Sequence, residues 1–205
     1  FETEKEDRLT VDARAFNPVF IKMDSSIAYL ATFDGGQDIY ILDLKSNESK
    51  KVTNFIDRPM ISHLTYCPSS HSLFFDITSH HFRDIYEYGI EDGSLNKIQD
   101  HNLYDERNMA SNNTGLQIFS QDKSGIYNLY MSNPADTSEG YITNVTGGAF
   151  MPDISTDGKV IYSLFENGIY TISILDDVFY IDEDYVGYSD QYYKNSSDLK
   201  ARIIE

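Results

Sequence analysis

The sequence predicts an all-β chain, a β-propeller built of four-stranded antiparallel blades, and three observations predict it. Short runs alternate apolar and polar residues, turn-forming pairs separate them, and the whole pattern returns at a near-constant interval. Val160-Ile161-Tyr162-Ser163-Leu164 alternates in the way a half-buried strand does. Asp157-Gly158 before it marks a tight turn, because Gly reaches positive φ freely and Asp tolerates it. Phe165-Glu166-Asn167-Gly168 turns the chain again before Ile169 to Leu175, which gives three short antiparallel strands.

Two markers carry the repeat. An Ile-Tyr pair or a close variant recurs at Ile39-Tyr40, Ile85-Tyr86 and Leu129-Tyr130, with a fourth around Ile169-Tyr170. The first three tyrosines are 46 and 44 positions apart, from 40 to 86 and from 86 to 130. Thr53-Asn54, Gln99-Asp100 and Thr143-Asn144 keep the same beat, and Thr10 in "RLTVD" stands 43 positions before Thr53. Four strands per unit at a period of about 40–50 residues is the signature of a propeller blade. A β-sandwich also offers many short strands but has no reason to repeat at equal intervals.

The blades so read span residues 17–54, 56–100, 104–144 and 149–181. Residues 8–11 read as the outer strand of a preceding blade, and 182–205 as an acidic, Tyr-rich extension. Val178 to Ile181 reads as one more strand. Two readings of the ends stay open. Either Arg8 to Val11 closes a four-bladed ring on unit four, or about four blades are visible of a larger propeller; the second is preferred. Isolated blades cannot bury both faces, so most aromatic positions are expected to pack between neighbours.

"PDISTDGKVIYS" from Pro152 to Ser163, with "DGGQDIYILDL" and "KVTN" in the first unit, resembles the TolB-type, WD-like propeller repeat. The resemblance runs over residues 8–176 and is weakest in units two and three. Unit two has Cys67-Pro68-Ser69-Ser70 in place of the family's Ser-Pro-Asp-Gly turn. It implies a propeller of bacterial periplasmic or cell-surface proteins that bind other proteins, or a non-catalytic module beside a peptidase domain. A fold shared this widely does not fix a function.

The chain holds 33 acidic and 16 basic residues in 205, a formal charge of −17. Nucleic acid and anionic lipid are therefore poor partners, since their phosphates would be repelled. No apolar run approaches the length of a membrane span, so no direct membrane insertion is expected. One cysteine, Cys67, excludes an internal disulfide. No nucleophile elbow, phosphate loop or metalloprotease motif is present, so the chain reads as non-enzymatic and without a cofactor. His63, His71, His80, His81 and His101 bunch in and just after unit two near Cys67, but without the close ligand pairs of a zinc site. The acidic loops at Asp34 and Asp38, and from Asp176 to Asp184, lack the alternating ligands of a calcium loop.

Binding is assigned to loops, because strands are committed to packing. The loops between second and third strands hold equivalent places in successive blades. They offer Phe33, Asp34, His80, His81, Arg83, Asp122, Lys123, Phe165, Glu166 and Asn167. The expected function is a protein-binding or scaffold module of a larger bacterial envelope or secreted protein. Its partners would be other proteins or other domains of the same chain. The alternative is an accessory propeller that gates access to a peptidase domain of prolyl-oligopeptidase or tricorn-like type.

Overall fold

In the computed structural model, which describes residues 6–22, 25–79, 82–98 and 103–187, the strands fall into four antiparallel sheets in chain order. Blade one is β1 (Arg14–Lys22), β2 (Ser26–Phe33), β3 (Gly36–Asp43) and β4 (Glu48–Lys51). Blade two is β5 (Met60–Cys67), β6 (Ser72–Ser79), β7 (Phe82–Gly89) and β8 (Leu95–Lys97). Blade three is β9 (Glu106–Ser111), β10 (Gln117–Gln121), β11 (Asn128–Asn133) and β12 (Ser138–Tyr141). Blade four has β13 (Gly148–Ile154), β14 (Val160–Glu166) and β15 (Ile169–Leu175). The first strands β1, β5, β9 and β13 neighbour one another, so the chain is an arc of a propeller with these strands innermost.

All four sheets share one register. Each innermost strand bulges against the second strand at the same place, between the pairs Phe16/Leu30 and Val19/Ala28, Ser62/Asp76 and Thr65/Phe74, Arg107/Ser120 and Ala110/Ile118, and Phe150/Ser163 and Asp153/Ile161. The first bulged residues, Asn17, His63, Asn108 and Met151, take left-handed φ of 48°, 53°, 60° and 50°. A bulge sharpens the local twist and re-aims side chains. Repeated four times, it turns one residue of each blade toward the inner wall. For a non-glycine residue the left-handed region costs about 1–2 kcal/mol, so the conformation persists only because the flanking ladder imposes it.

This register also corrects the fourth Ile-Tyr marker. Tyr40, Tyr86 and Tyr130 face Tyr29, Phe75 and Phe119 across the sheet, whereas the equivalent pair in blade four is Ser173 with Tyr162. Tyr170 lies three positions earlier, opposite Phe165. Hairpin and bulge fix the register; a look-alike dipeptide does not.

The threonine marker has a structural reason. Thr53 Oγ1 donates to Asp38 Oδ1 at 3.0 Å and accepts the Ile39 N–H at 2.9 Å, while the same Asp38 oxygen accepts the Phe55 N–H at 3.0 Å. Blade three repeats this with Thr143 Oγ1 on Asn128 Oδ1 at 3.0 Å, Leu129 N–H on Thr143 at 2.8 Å and Val145 N–H on Asn128 at 2.9 Å. The pair ties the end of the fourth strand to the third and aims the chain at the next blade. In blade two Asp84 instead pairs with Lys97 at 3.2 Å, and Gln99 lies outside the described residues.

The core is three inter-blade layers and a smaller cluster of Tyr29, Ala31 and Leu42 within blade one. Leu30 and Ile39 of blade one meet Ile61, Leu73 and Phe75 of blade two. Phe74 and Ile85 of blade two meet Met109, Phe119, Tyr130 and Tyr141 of blade three. Ile118, Leu129 and Ile142 of blade three meet Ala149, Val160 and Tyr162 of blade four. Successive residues of β6 therefore enter alternate layers, which is why "SLFFDI" is buried without a break.

The ends depart from the sequence reading. Arg8 to Val11 forms no strand; Leu9 and Thr10 lie beside Phe16, Ile27 and Tyr29 of blade one. Val178 to Ile181 does not extend blade four. Past Leu175 the chain crosses to blade three, where Ile181 bridges Tyr141 of β12 and Tyr180 meets Ser138 Oγ at 3.0 Å. A short 3₁₀ turn, Glu183–Tyr185, follows, and Asn144 holds it through the Tyr185 carbonyl at 2.7 Å. β15 is thus an edge strand among the described residues, with Ile172 79% and Ile174 60% exposed on the face away from blade three.

Candidate functional site

The hairpins between second and third strands all lie at the end where the innermost strands begin. Gln121 at the end of β10 pairs with Glu106 at the start of β9, and Gly148 opens β13 opposite Phe165. The loops from 33 to 37, 122 to 127 and 165 to 168 therefore share one face with the blade-to-blade connections. The other turns lie opposite. Asp34 and Asn167 take left-handed φ of 49° and 53°, as their tight hairpins require.

The nominated residues do not gather as one set. Phe33 is exposed at the tip of blade one. Lys123 turns outward to Glu183, 3.3 Å away, and Glu166 accepts from Thr146 Oγ1 at 3.4 Å. His80 and His81 lie outside the described residues. Arg83, however, enters a cleft with residues that reading by loops missed: Arg107, Asn108, Phe150, Met151, Ser163 and Tyr170, around a volume of about 360 Å³. Phe165 supports this cleft through Tyr170, at 4.8 Å between ring centroids. A signal for the missed residues was present. Asn108 and Met151 belong to the series 17, 63, 108, 151, which keeps the period of the tyrosines, and Arg107 and Phe150 immediately precede them.

Two arginines define the cleft. The Arg107 guanidinium lies 3.9 Å from the Tyr127 ring centre and 4.8 Å from that of Phe150, an arrangement that fixes a cation by the ring quadrupole. Its Nε is buried and has no hydrogen-bond partner among the described residues. Arg83 Nε donates to Thr78 Oγ1 at 3.3 Å. The ion pairs among the described residues belong to Lys51, Lys97, Lys123 and Lys159, and neither cleft arginine is in one.

Carboxylates lie close behind, each engaged elsewhere. Asp76, fully buried, accepts the Asn108 N–H on both oxygens at 3.1 and 3.3 Å, clamping blade two to the bulge of blade three. Burial pushes its pKa up to about 7 against the opposing pull of that hydrogen bond and of Arg83 and Arg107. Asp105 accepts the Arg83 N–H at 3.1 Å and the Tyr127 hydroxyl at 3.0 Å. Asp122 accepts the Asp105 N–H at 2.7 Å; burial and the Asp105 charge raise its pKa. Burial lowers that of His63, whose Nε2 donates to the Met109 carbonyl at 3.2 Å.

The metal candidates separate. His71 bonds Tyr66 at 2.7 Å, and Cys67 lies against Ser69 and Ser111. Asp38 is held by Lys51 at 2.7 Å and by the Thr53 network, and Asp176 pairs with Lys159 at 2.7 Å. Among the described residues no three His, Cys, Asp or Glu side chains converge as ligands would, and no helix is long and apolar enough to cross a membrane.

No family model matches the chain, and no curated protein matches it by sequence. Solved structures do. TolB from Acinetobacter baumannii superposes with a TM-score of 0.67 at 18% identity, over 80% of this chain and 41% of that one. A putative TolB from Agrobacterium tumefaciens gives 0.63 at 15%, over 76% and 60%. An oligogalacturonate lyase from Vibrio parahaemolyticus gives 0.60 at 15%, over 84% and 52%. Puromycin hydrolase gives 0.63 at 11%, over 79% and 27%. The fold is a TolB-like β-propeller, and the chain spans 27% to 60% of these proteins' own lengths.

Proposed function

We propose that this chain is a protein-binding module, a non-catalytic arc of a larger propeller that acts in a bacterial envelope or secreted assembly. One observation carries the reading. The shared register sets the hairpins between second and third strands, the blade connections and the arginine-lined cleft on a single face. Loops on such a face are free to carry binding residues, while the strands behind them are locked into inter-blade layers. The TolB-like fold supports an envelope location. The negative charge supports protein, and not nucleic acid, as the partner class. A role beside a peptidase draws on a likeness to a puromycin-hydrolyzing peptidase from Mycobacterium tuberculosis, which at 10% identity is a likeness of fold.

The test is photo-crosslinking in the native cell from both faces. A crosslinking residue replaces Phe33, Lys123 or Asn167 on one face, and Ser46, Asp92 or Asp157 on the other. The reading expects one discrete protein adduct from the first three positions and none from the second. Adducts confined to the second set would overturn it.

A further inference from the structure

We infer that the cleft between blades two, three and four is a receptor for a carboxylate of an acidic peptide, read by Arg83 and Arg107. This rests on the protein-binding reading and gives it a chemistry. In a chain with twice as many acidic as basic residues, cations are easily neutralised, as the four lysine pairs are. The cleft runs against that balance: among the described residues its lining holds two guanidiniums and no carboxylate. The three aspartates behind it serve backbone N–H groups and a tyrosine hydroxyl; Asp76 and Asp122 feel the arginine charges, but none forms an ion pair with either guanidinium among the described residues.

Arg107 is already ordered. Its guanidinium is held over the Tyr127 and Phe150 rings, so little conformational freedom is left to lose on binding, and its buried Nε has no acceptor among the described residues. A guanidinium so held suits the two oxygens of a carboxylate. The rest of the wall mixes the polar Asn108 and Ser163 with Phe150, Met151 and the largely exposed ring of Tyr170, so the ligand carries an apolar side chain next to its acid to meet that apolar part. Polyanions are disfavoured by the overall charge of −17. A single Asp or Glu in an extended apolar segment is what remains.

The experiment is an amide-resolved NMR titration of the full chain with the blocked pentapeptide Ala-Leu-Asp-Leu-Ala. The Asn version of the peptide and inorganic phosphate are the two other arms. The Asp peptide is expected to shift Arg83, Arg107, Asn108 and Met151, and to bind at least tenfold more tightly than the Asn peptide. R107Q and R83Q, each checked for an unchanged spectrum elsewhere, are expected to remove that preference. Equal binding of the two peptides, no shift at these residues, or tighter binding of phosphate at the same residues would each overturn the carboxylate receptor. Crosslinks from the same face alongside such a result would leave the protein-binding reading standing and this site refuted.

Discussion

Asp76→Asn is expected to make the protein more stable at pH 8 and to remove most of its loss of stability between pH 4 and pH 8 relative to the wild type. Asp76 is wholly buried and its pKa in the fold is raised to about 7. The folded state therefore holds a proton that the unfolded chain, near the ordinary carboxylate value, has already released. Stability from such a group is complete below the unfolded pKa and is lost as pH rises through the folded one. A shift of that size corresponds to about 4 kcal/mol as an upper bound. Asn keeps an oxygen to accept the Asn108 N–H but carries no charge to bury. His63 acts in the opposite sense: its depressed pKa adds stability as pH rises toward the ordinary imidazole value. Asp122 contributes a smaller trend with the sign of Asp76. The readout is consequently the difference between variant and wild type in urea unfolding from pH 4 to 8. A difference that does not change with pH would mean that Asp76 is not a buried, pH-responsive clamp.

Phe75→Ala is expected to cost about 3–5 kcal/mol, a large share of the roughly 5–15 kcal/mol that holds a domain together. Phe75 is fully buried in the layer between blades one and two, 6.2 Å edge-to-face from Phe55 and 6.3 Å from Tyr86. Stacked repeats owe their stability to such interfaces, so this cavity loosens blade one from the rest. Ile172→Ala is the matched control. Its side chain is 79% exposed on the open face of blade four, and the change should stay within about 0.5 kcal/mol. Equal losses for both would contradict the inter-blade packing.

The architecture was legible because it repeats. Hairpin pairs, the tyrosines at 40, 86 and 130, and the threonines at 53 and 143 each mark a physical constraint: a turn needing positive φ, a cross-strand aromatic pair, a hydroxyl tying two strands. The fourth Ile-Tyr misled because a dipeptide carries no register. Ser173 holds that place, and only the hairpin at Asn167-Gly168 and the bulge at Met151 reveal it. Val178 to Ile181 was misplaced because periodicity does not say which sheet edge a segment pairs with: Ile181 bridges β12 of blade three. Of the cleft's lining, Arg83 was named through its loop. Arg107 and Phe150 were not, because an innermost strand reads as core until the bulge turns its residues toward the inner wall.

The bulge that recurs in every blade sets both the shared register and the cleft. The direct test is the backbone angle at Asn17, His63, Asn108 and Met151, taken from NMR couplings and intraresidue contacts on the labelled chain. Positive φ near 50–60° at all four positions is the predicted result. Extended angles there would contradict the shared register, and with it the cleft that sets Arg83 beside Arg107.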